Sequence, residues 1–273
     1  MEYLIDWFSF TLPAQMVVEA AFNDGLANAY LSMAEGGFTD GLLSLHKGEW
    51  QVFKGSGFYH TRIMDETSKL SVSWGIVNPH ILIECSGVTC QCLRDHDLLN
   101  SVITAFQTRA TRIDLTCDIA TETRPIDFGA KALGISFKSR TSMTSPTGDT
   151  EYVGSWKSDR FARVYRYAPP HPRSGQLRVE HVLKGDWAKS AAASLSSVGL
   201  EQTLIGCSLP FGWSHPDWRP DLMAEKLSPT KKHDRDGAST LRWLNNSVAP
   251  SLKRAVQEGL IDLDEWLTEH GLK

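Results

Sequence analysis

The stretch "RIDLTCDIA", residues 112 to 120, alternates charged or hydroxyl side chains with apolar ones along its length. Successive side chains of a β-strand point to opposite faces of a sheet, so this alternation predicts a strand with one packed face and one polar face. A face this polar does not belong in an apolar core, which makes its side chains candidates for a functional site. The polar face carries Arg112, Asp114, Thr116 and Asp118, and the packed face carries Ile113, Leu115, Cys117 and Ile119.

The chain opens with another predicted strand, "YLIDWFSFTL", which is rich in aromatic and β-branched residues. The segments that follow the two strands run in the same order. Each half reads as a strand, a helix, several antiparallel strands and a further helix. Dipeptides recur at matching places: Ile5-Asp6 matches Ile113-Asp114, and Ile83-Glu84 matches Val179-Glu180. These patterns predict an α+β fold of antiparallel β-sheets packed with helices, built from two repeated strand-helix-strands halves. The alternative is chance agreement between short patterns.

The character of the sequence changes after residue 205. We expect an α+β domain over residues 1–205, with halves at 1–110 and 111–205, and a loop-rich helical C-terminal region over residues 206–273. In the first half, Pro13 begins a helix predicted to reach residue 26. The C-terminal region is predicted to hold three short helices. Two lie near residues 239–245 and 250–258, and the third follows Asp262, which has capping-box spacing to Glu265.

The charge of the chain is unevenly distributed. Its 273 residues have a formal net charge of −4, which argues against a general polycation. Residues 152–184 nevertheless contain seven basic and two acidic side chains, the local excess that a phosphate-tracking surface needs. The basic residues are Lys157, Arg160, Arg163, Arg166, Arg173, Arg178 and Lys184.

The hydropathy pattern gives no indication of a membrane protein. No run approaches the ~20 apolar residues of a membrane span, and the N-terminal stretch does not have the pattern of a signal peptide. We therefore expect a cytoplasmic protein with no membrane partner.

A second alternating strand supplies another acid. The segment "LRVEHVLK", residues 177 to 184, places Arg178, Glu180 and Lys184 on one face. If this strand neighbours the one at residues 112–120, Asp114 and Glu180 converge as oxygen ligands for Mg²⁺ or Mn²⁺. The alternative is that these acids form solvated cross-strand ion pairs with nearby arginines.

A tyrosine lies within the basic segment. In "RFARVYRY" a regular strand gives Tyr165 the same face as Phe161, Arg163 and Tyr167. A tyrosine hydroxyl has a reference pKa of about 10 and is a poor nucleophile unless a base, a metal or nearby cations assist it. Arginines at this spacing supply cations. The alternative is that Tyr165 and Tyr167 are ordinary strand aromatics.

Taken in order, several motifs resemble the replication initiation factor family of rolling-circle plasmids and filamentous phages, often called Rep_trans. They are "DWFSFT", "LIECSG", "TRIDLTCDI", "TEYVGSWKSDRFARVY", "LRVEHVLKGD" and "TLRWLNNSVAPSL", and they span nearly the whole chain. The most specific is "YVGSWKSDRFARVY", because the family's pattern there is close to Tyr-x-Gly-Ser-x-x-Ser-x-x-x-x-Arg-x-Tyr. The resemblance implies a metal-dependent, origin-specific DNA nickase that forms a 5′-phosphotyrosine and frees a 3′-OH for the host polymerase.

Carried over residue by residue, the resemblance makes Tyr165 the nucleophile and gives Arg163 a role in stabilising charge on the phosphoryl oxygens. It makes Asp114 and Glu180 ligands of Mg²⁺ or Mn²⁺, because the matching strands of the family flank its active site. The DNA-binding side chains expected with them are Lys157, Arg160, Arg166, Arg112, Arg178 and Lys184.

The sequence departs from the family's pattern at two positions. Val182 stands where a second glutamate is common, which makes Asp118 the candidate substitute ligand. Tyr167 stands where the family usually has lysine, which makes it the alternative nucleophile.

The resemblance also implies partners. These are DNA of a replication origin, single-stranded or supercoiled, host replication proteins, and a second copy of the chain in a homodimer. Two other functions stay open. A mobilisation relaxase of a conjugative element uses the same transesterification, and a non-catalytic DNA-binding regulator would keep the fold without nicking.

Overall fold

The computed structural model describes one sheet of ten strands, each antiparallel to its neighbours. The strands are β1 (Glu2–Pro13), β2 (Trp50–Lys54), β3 (Thr61–Asp65), β4 (Ser71–Trp74), β5 (His80–Cys85), β6 (Ala110–Ile119), β7 (Arg140–Ser145), β8 (Gly148–Val153), β9 (Arg160–Arg166) and β10 (Leu177–Lys184). The structure describes residues 2–13, 50–55, 57–75, 80–132, 139–145, 148–167, 169–171, 173–209, 225, 227–229, 249–259 and 262–269.

The order of the strands repeats between the two halves of the sheet. Across the sheet the order is β2-β3-β4-β5-β1-β6-β10-β9-β8-β7. In each half the first strand lies at the centre, the last strand pairs with it, and the others follow outwards in reverse order. β1 and β6 pair at the middle, where Ile5 lies opposite Leu115. The predicted α+β fold is confirmed, and the strand order of one half is that of the other.

Helices cover the apolar face of the sheet. They are α1 (Gly87–Asp95) and α2 (Leu99–Phe106) after β5, α3 (Pro125–Ala132) after β6, and α4 (Asp186–Val198) and α5 (Leu200–Ser208) after β10. Helix α4 packs against β6, whose Ile113, Leu115 and Cys117 are completely buried. Burying one such aliphatic side chain contributes ~1.5–3 kcal/mol, so this layer is the main source of stability. The helix predicted over residues 13–26 lies outside the described residues.

The C-terminal residues Lys231–Lys273 form a compact unit separate from Met1–Thr230. Its described helices are α6 (Ala249–Gln257) and α7 (Leu263–Glu269). Asp262 caps α7, since its Oδ1 accepts hydrogen bonds from the backbone N–H groups of Asp264 at 2.9 Å and Glu265 at 3.2 Å. The helix predicted near residues 239–245 lies outside the described residues.

The division expected at residue 205 falls inside α5, which belongs to the first unit. Among the described helices, none combines the length and the apolar character that a membrane span requires.

His181 gives the helix-packed side of β10 a testable pH dependence. It is completely buried, and its Nε2 lies 2.8 Å from Ser208 Oγ on α5. Burial lowers the pKa of His181 to about 3. An unfolded chain binds this proton near pH 6.5. The unfolded state therefore binds more protons between pH 6.5 and 3, and the free energy of unfolding should fall across this range as the pH decreases.

We expect His181→Gln to remove up to ~1.4 kcal/mol per pH unit from that slope, measured by urea unfolding at several pH values. The exposed His80 provides the control variant His80→Gln. An unchanged slope in His181→Gln would contradict the buried, neutral state of His181.

Candidate active site

Three neighbouring strands bring the predicted site residues to the sheet face opposite the helices. In the pairing of β10 with β9, Arg163 lies opposite Glu180 and Tyr165 lies opposite Arg178. On its other side β10 pairs with β6, whose Asp114 points to the same face. The acids and the tyrosine that the sequence singled out therefore share one surface.

Tyr165 is held by a buried carboxylate. Its hydroxyl donates to Glu180 Oε2 at 3.2 Å, and Arg163 Nη2 donates to Glu180 Oε1 at 2.5 Å. The Arg163 guanidinium also lies 5.6 Å from the centre of the Tyr165 ring. Burial, together with the charge of Glu180, raises the pKa of the Tyr165 hydroxyl. The hydroxyl therefore needs a proton acceptor before it can react, and Glu180 is in hydrogen-bond contact with it.

Asp114 lies beside Glu180 and is only 1% exposed. Arg112 Nε and Nη2 donate to its two carboxylate oxygens at 2.8 and 2.5 Å. Burial raises the pKa of Asp114 to about 7; the hydrogen bond from Arg112 opposes the rise and the charge of Glu180 adds to it. Two buried carboxylates that repel one another suit a divalent cation, which compensates both charges. The donor chemistry therefore fits Mg²⁺ or Mn²⁺ at Asp114 and Glu180.

Asp118, the candidate third ligand, is engaged elsewhere on this face. Its carboxylate accepts hydrogen bonds from Arg178 Nε at 2.7 Å and Nη2 at 2.9 Å, and a further one from Arg173. Within the described residues, no cluster of three acidic, histidine or cysteine side chains is placed to hold a metal ion. The structure therefore brings Asp114 and Glu180 together. It places Asp118 in an arginine cluster formed by Arg173 and Arg178.

Tyr167 lies just beyond β9 and has different surroundings from Tyr165. Its ring stacks on His171 with the centroids 3.9 Å apart, and the Arg178 guanidinium lies 4.7 Å from its centre. The rings of Tyr165 and Tyr167 meet edge to face at 5.8 Å. Burial raises the pKa of Tyr167, and Arg178 opposes the rise. Tyr165 therefore donates to Glu180, the carboxylate beside Asp114, whereas Tyr167 packs against His171 and Arg178.

Two of the predicted DNA-binding arginines lie away from this face. Arg160 alternates to the helix-packed side, where its guanidinium lies 4.2 Å from the centre of the Trp187 ring. Arg166 donates to the backbone carbonyls of Thr121 and Thr123, both at 2.8 Å. Arg160 therefore packs on Trp187, and Arg166 is bonded to the loop that follows β6.

The other four basic residues lie on the site side or beside it. Arg112 binds Asp114, and Arg178 is buried against Asp118. Lys184 Nζ donates to the carbonyl oxygen of Trp156 at 3.0 Å, and Lys157 is exposed in the same turn. In the pairing of β6 with β10, Arg112 and Lys184 lie on one side of the carboxylate pair, towards this turn, and Arg178 lies on the other side.

Asp6 belongs to the arginine cluster, although the sequence indicated it only as part of a repeated dipeptide. Its Oδ1 lies 3.0 Å from Arg178 Nη1. The register between β1 and β6 shifts between Ile5 and Trp7, so Asp6 occupies a β-bulge. A bulge changes which way a side chain points, and period-two alternation does not predict it. The match of Ile5-Asp6 to the dipeptide that contains Asp114 was the signal that could have identified Asp6.

The first half of the sheet repeats the strand order without the reactive side chains. There Glu84 pairs with Ser71, where the second half pairs Glu180 with Arg163. Ser73, two residues after Ser71 on β4, occupies the position that Tyr165 occupies two residues after Arg163 on β9. The contact between Tyr165 and Glu180 in the second half is therefore replaced at the matching positions of the first half by Ser73 and Glu84.

The comparisons with known proteins bear on the fold. No protein-family model matches the chain, and no curated protein matches its sequence. Among solved structures, the chain is similar to a rolling circle replication initiator protein from Geobacillus stearothermophilus, with 16% identity and a TM-score of 0.52. The similarity covers 83% of this chain and 92% of the other. At this level of identity the likeness shows that the two chains share a fold.

Proposed function

We propose that this protein is a rolling-circle DNA replication initiator that nicks and rejoins one DNA strand at an origin through Tyr165. The observation that carries the proposal is the hydrogen bond from the Tyr165 hydroxyl to Glu180, next to Asp114 and Arg163, on one sheet face. The shared fold with a rolling-circle initiator supports it. The motifs that resemble the replication initiation factor family point to the same chemistry.

The nicking step uses groups that already touch. Glu180 accepts the proton of the Tyr165 hydroxyl, and the phenolate oxygen attacks the scissile phosphorus. The Oη–P bond forms as the P–O3′ bond breaks. The 3′-oxygen takes a proton from solvent, leaving a free 3′-OH and a 5′-phosphotyrosine. In the reverse step the 3′-OH gives its proton to solvent and attacks phosphorus, the Oη–P bond breaks as the P–O3′ bond forms, and Glu180 returns its proton to the Tyr165 oxygen.

Two donors on the site face can stabilise charge on the phosphoryl oxygens. Arg163 Nε and Trp7 Nε1 are buried and have no hydrogen-bond partner among the described residues. Trp7 lies opposite Asp114 in the pairing of β1 with β6. A buried donor without a partner is costly. A phosphoryl oxygen would satisfy it, and preorganised donors of this kind are worth several kcal/mol in a transition state.

Asp114 and Glu180 would hold the divalent cation. When bound, Mg²⁺ or Mn²⁺ supplies Lewis-acid polarisation of the phosphate. Arg112, which binds both oxygens of Asp114, orients this carboxylate. Because Glu180 also accepts from Tyr165, the same carboxylate links the tyrosine to the cation site.

Chelation and Asp114→Asn should both suppress nicking. We expect EDTA to abolish the conversion of supercoiled DNA, carrying the sequences that flank the gene, to the open-circular form. Asp114→Asn should slow that conversion by at least ~10²-fold, because a metal contributes several kcal/mol at this step. The measurement is an agarose-gel time course in Mn²⁺.

The exposed Glu122 provides a matched control, and Glu122→Gln should nick at the wild-type rate. Nicking that survives both EDTA and Asp114→Asn would contradict the metal site. DNA binding with no nicking under any metal would instead favour the non-catalytic regulator.

A further inference from the structure

The turn between β8 and β9 presents an exposed tryptophan in a fixed position. Trp156 is 56% exposed. The turn begins at Gly154, whose φ of +90° is disfavoured for residues with a side chain. The Gly154 N–H donates to the Ser139 carbonyl at 2.8 Å, and Lys184 Nζ donates to the Trp156 carbonyl at 3.0 Å. The indole is therefore held outward on a turn that is tied to two other segments.

Trp156 lies on the same side of the sheet as the candidate active site. Its ring meets that of Tyr152 edge to face, with centroids 6.2 Å apart. Tyr152 lies opposite Arg163 in the pairing of β8 with β9, and its ring centroid is 6.5 Å from that of Phe161. Phe161 precedes Tyr165 by four residues on the same strand face, a separation of ~13 Å. A single strand of a few nucleotides could therefore reach from Trp156 and Tyr152 to Tyr165.

Cations and a cleft accompany the aromatic rings. Lys157 is exposed beside Trp156, and Lys184 Nζ lies 5.1 Å from the centre of the Phe161 ring. A cleft of about 90 Å³ is lined by Tyr152 and Trp156, together with the hydroxyl-bearing residues Ser139, Thr141 and Ser155. An exposed aromatic ring next to basic side chains is the chemistry that binds single-stranded nucleic acid, and Trp156 with Lys157 provides it here.

We propose that Trp156, backed by Tyr152, is a base-stacking site for the single-stranded DNA that leads to Tyr165. The proposal rests on the proposed function, because it places the same DNA strand on the sheet face that carries the nucleophile. A base stacks on the indole, and Lys157 neutralises a neighbouring phosphate. Every base has a π-face, so this contact gives affinity with little sequence preference.

The test is the affinity of the full chain for a fluorescent oligothymidylate of about twelve nucleotides, measured by anisotropy without metal. Trp156→Ala should weaken binding by ~5- to 150-fold, the range measured for one stacked base. Trp156→Phe keeps an aromatic ring and should recover most of the affinity. Phe58, which is 84% exposed on the first half of the sheet, provides the matched control Phe58→Ala, expected to bind like wild type.

An oligomer of the same length without bases separates stacking from charge. Wild type and Trp156→Ala should bind this abasic strand equally. Equal affinity of wild type and Trp156→Ala for oligothymidylate would overturn the stacking site and leave the proposed nicking untouched. Stacking with no nicking of any DNA would instead refute the proposed function while leaving the stacking site in place.

Discussion

Replacing Tyr165 with phenylalanine should reduce the covalent protein–DNA adduct below detection on a denaturing gel. The substitution removes the oxygen that forms the bond to phosphorus and keeps the ring that contacts Arg163 and Tyr167. The affinity for DNA should therefore stay within about twofold of wild type, because the phosphate contacts that dominate affinity are unchanged. The assay incubates the protein with Mn²⁺ and single-stranded DNA from the region that flanks the gene.

Tyr167→Phe is the matched control for this experiment. It also removes a half-buried phenolic hydroxyl, but one whose ring packs on His171 and Arg178 away from the carboxylate pair. We expect Tyr167→Phe to form the adduct at no less than about a tenth of the wild-type rate, a change of ~1.4 kcal/mol or less. An adduct lost in Tyr167→Phe and kept in Tyr165→Phe would move the nucleophile by two residues.

Replacing Arg178 with methionine should lower the free energy of unfolding by about 3–5 kcal/mol. Arg178 is 4% exposed and contacts both Asp118 and Asp6. Removing the Arg178 guanidinium leaves the buried carboxylate of Asp118 with Arg173 as its remaining charged partner. Breaking a buried ion pair on one side is costly because the other charge stays out of water. Urea unfolding at pH 7 measures the change.

The double variant Arg178→Met with Asp118→Leu checks the cause. Replacing both charges with apolar side chains removes the buried Asp118 carboxylate that Arg173 alone would compensate, so at least half of the lost stability should return. A single variant that costs less than about 1 kcal/mol would place Arg178 among ordinary surface ion pairs. A double variant no more stable than the single one would show that packing, and not charge, is responsible.

Local alternation was enough to predict strands β6, β9 and β10 and the side chains that share a face, because the period of two is a property of each strand by itself; the joining of both halves into one sheet was not predicted. It assigned Asp114 and Asp118 to one face of β6, and the structure has both there. What alternation leaves out is register. The pairing of β6 with β10 puts Asp118 opposite Arg178, while Glu180 lies nearer Asp114. The register with the neighbouring strand therefore separates Asp118 from the pair formed by Asp114 and Glu180, and the alternation of β6 alone does not reveal this.

The basic segment shows a different limit. Counting charges over residues 152–184 grouped side chains that the fold separates. Arg163 and Tyr165 point to the site, whereas Arg160 points to Trp187 on the opposite face. The alternation of β9 itself indicates this separation. The role of Trp156 was harder to foresee, because its exposure depends on the turn that begins at Gly154 and on the bond from Lys184.

The most direct test of the tyrosine nickase is to identify the residue that carries the DNA. The wild-type adduct is treated with nuclease and trypsin, and the peptides are analysed by mass spectrometry. Cleavage after Arg163, Arg166 and Arg173 places Tyr165 and Tyr167 in different peptides. We predict a nucleotide 5′-phosphate on Tyr165 in the peptide of residues 164–166. A nucleotide found on any other residue would contradict the assignment of Tyr165 as the nucleophile.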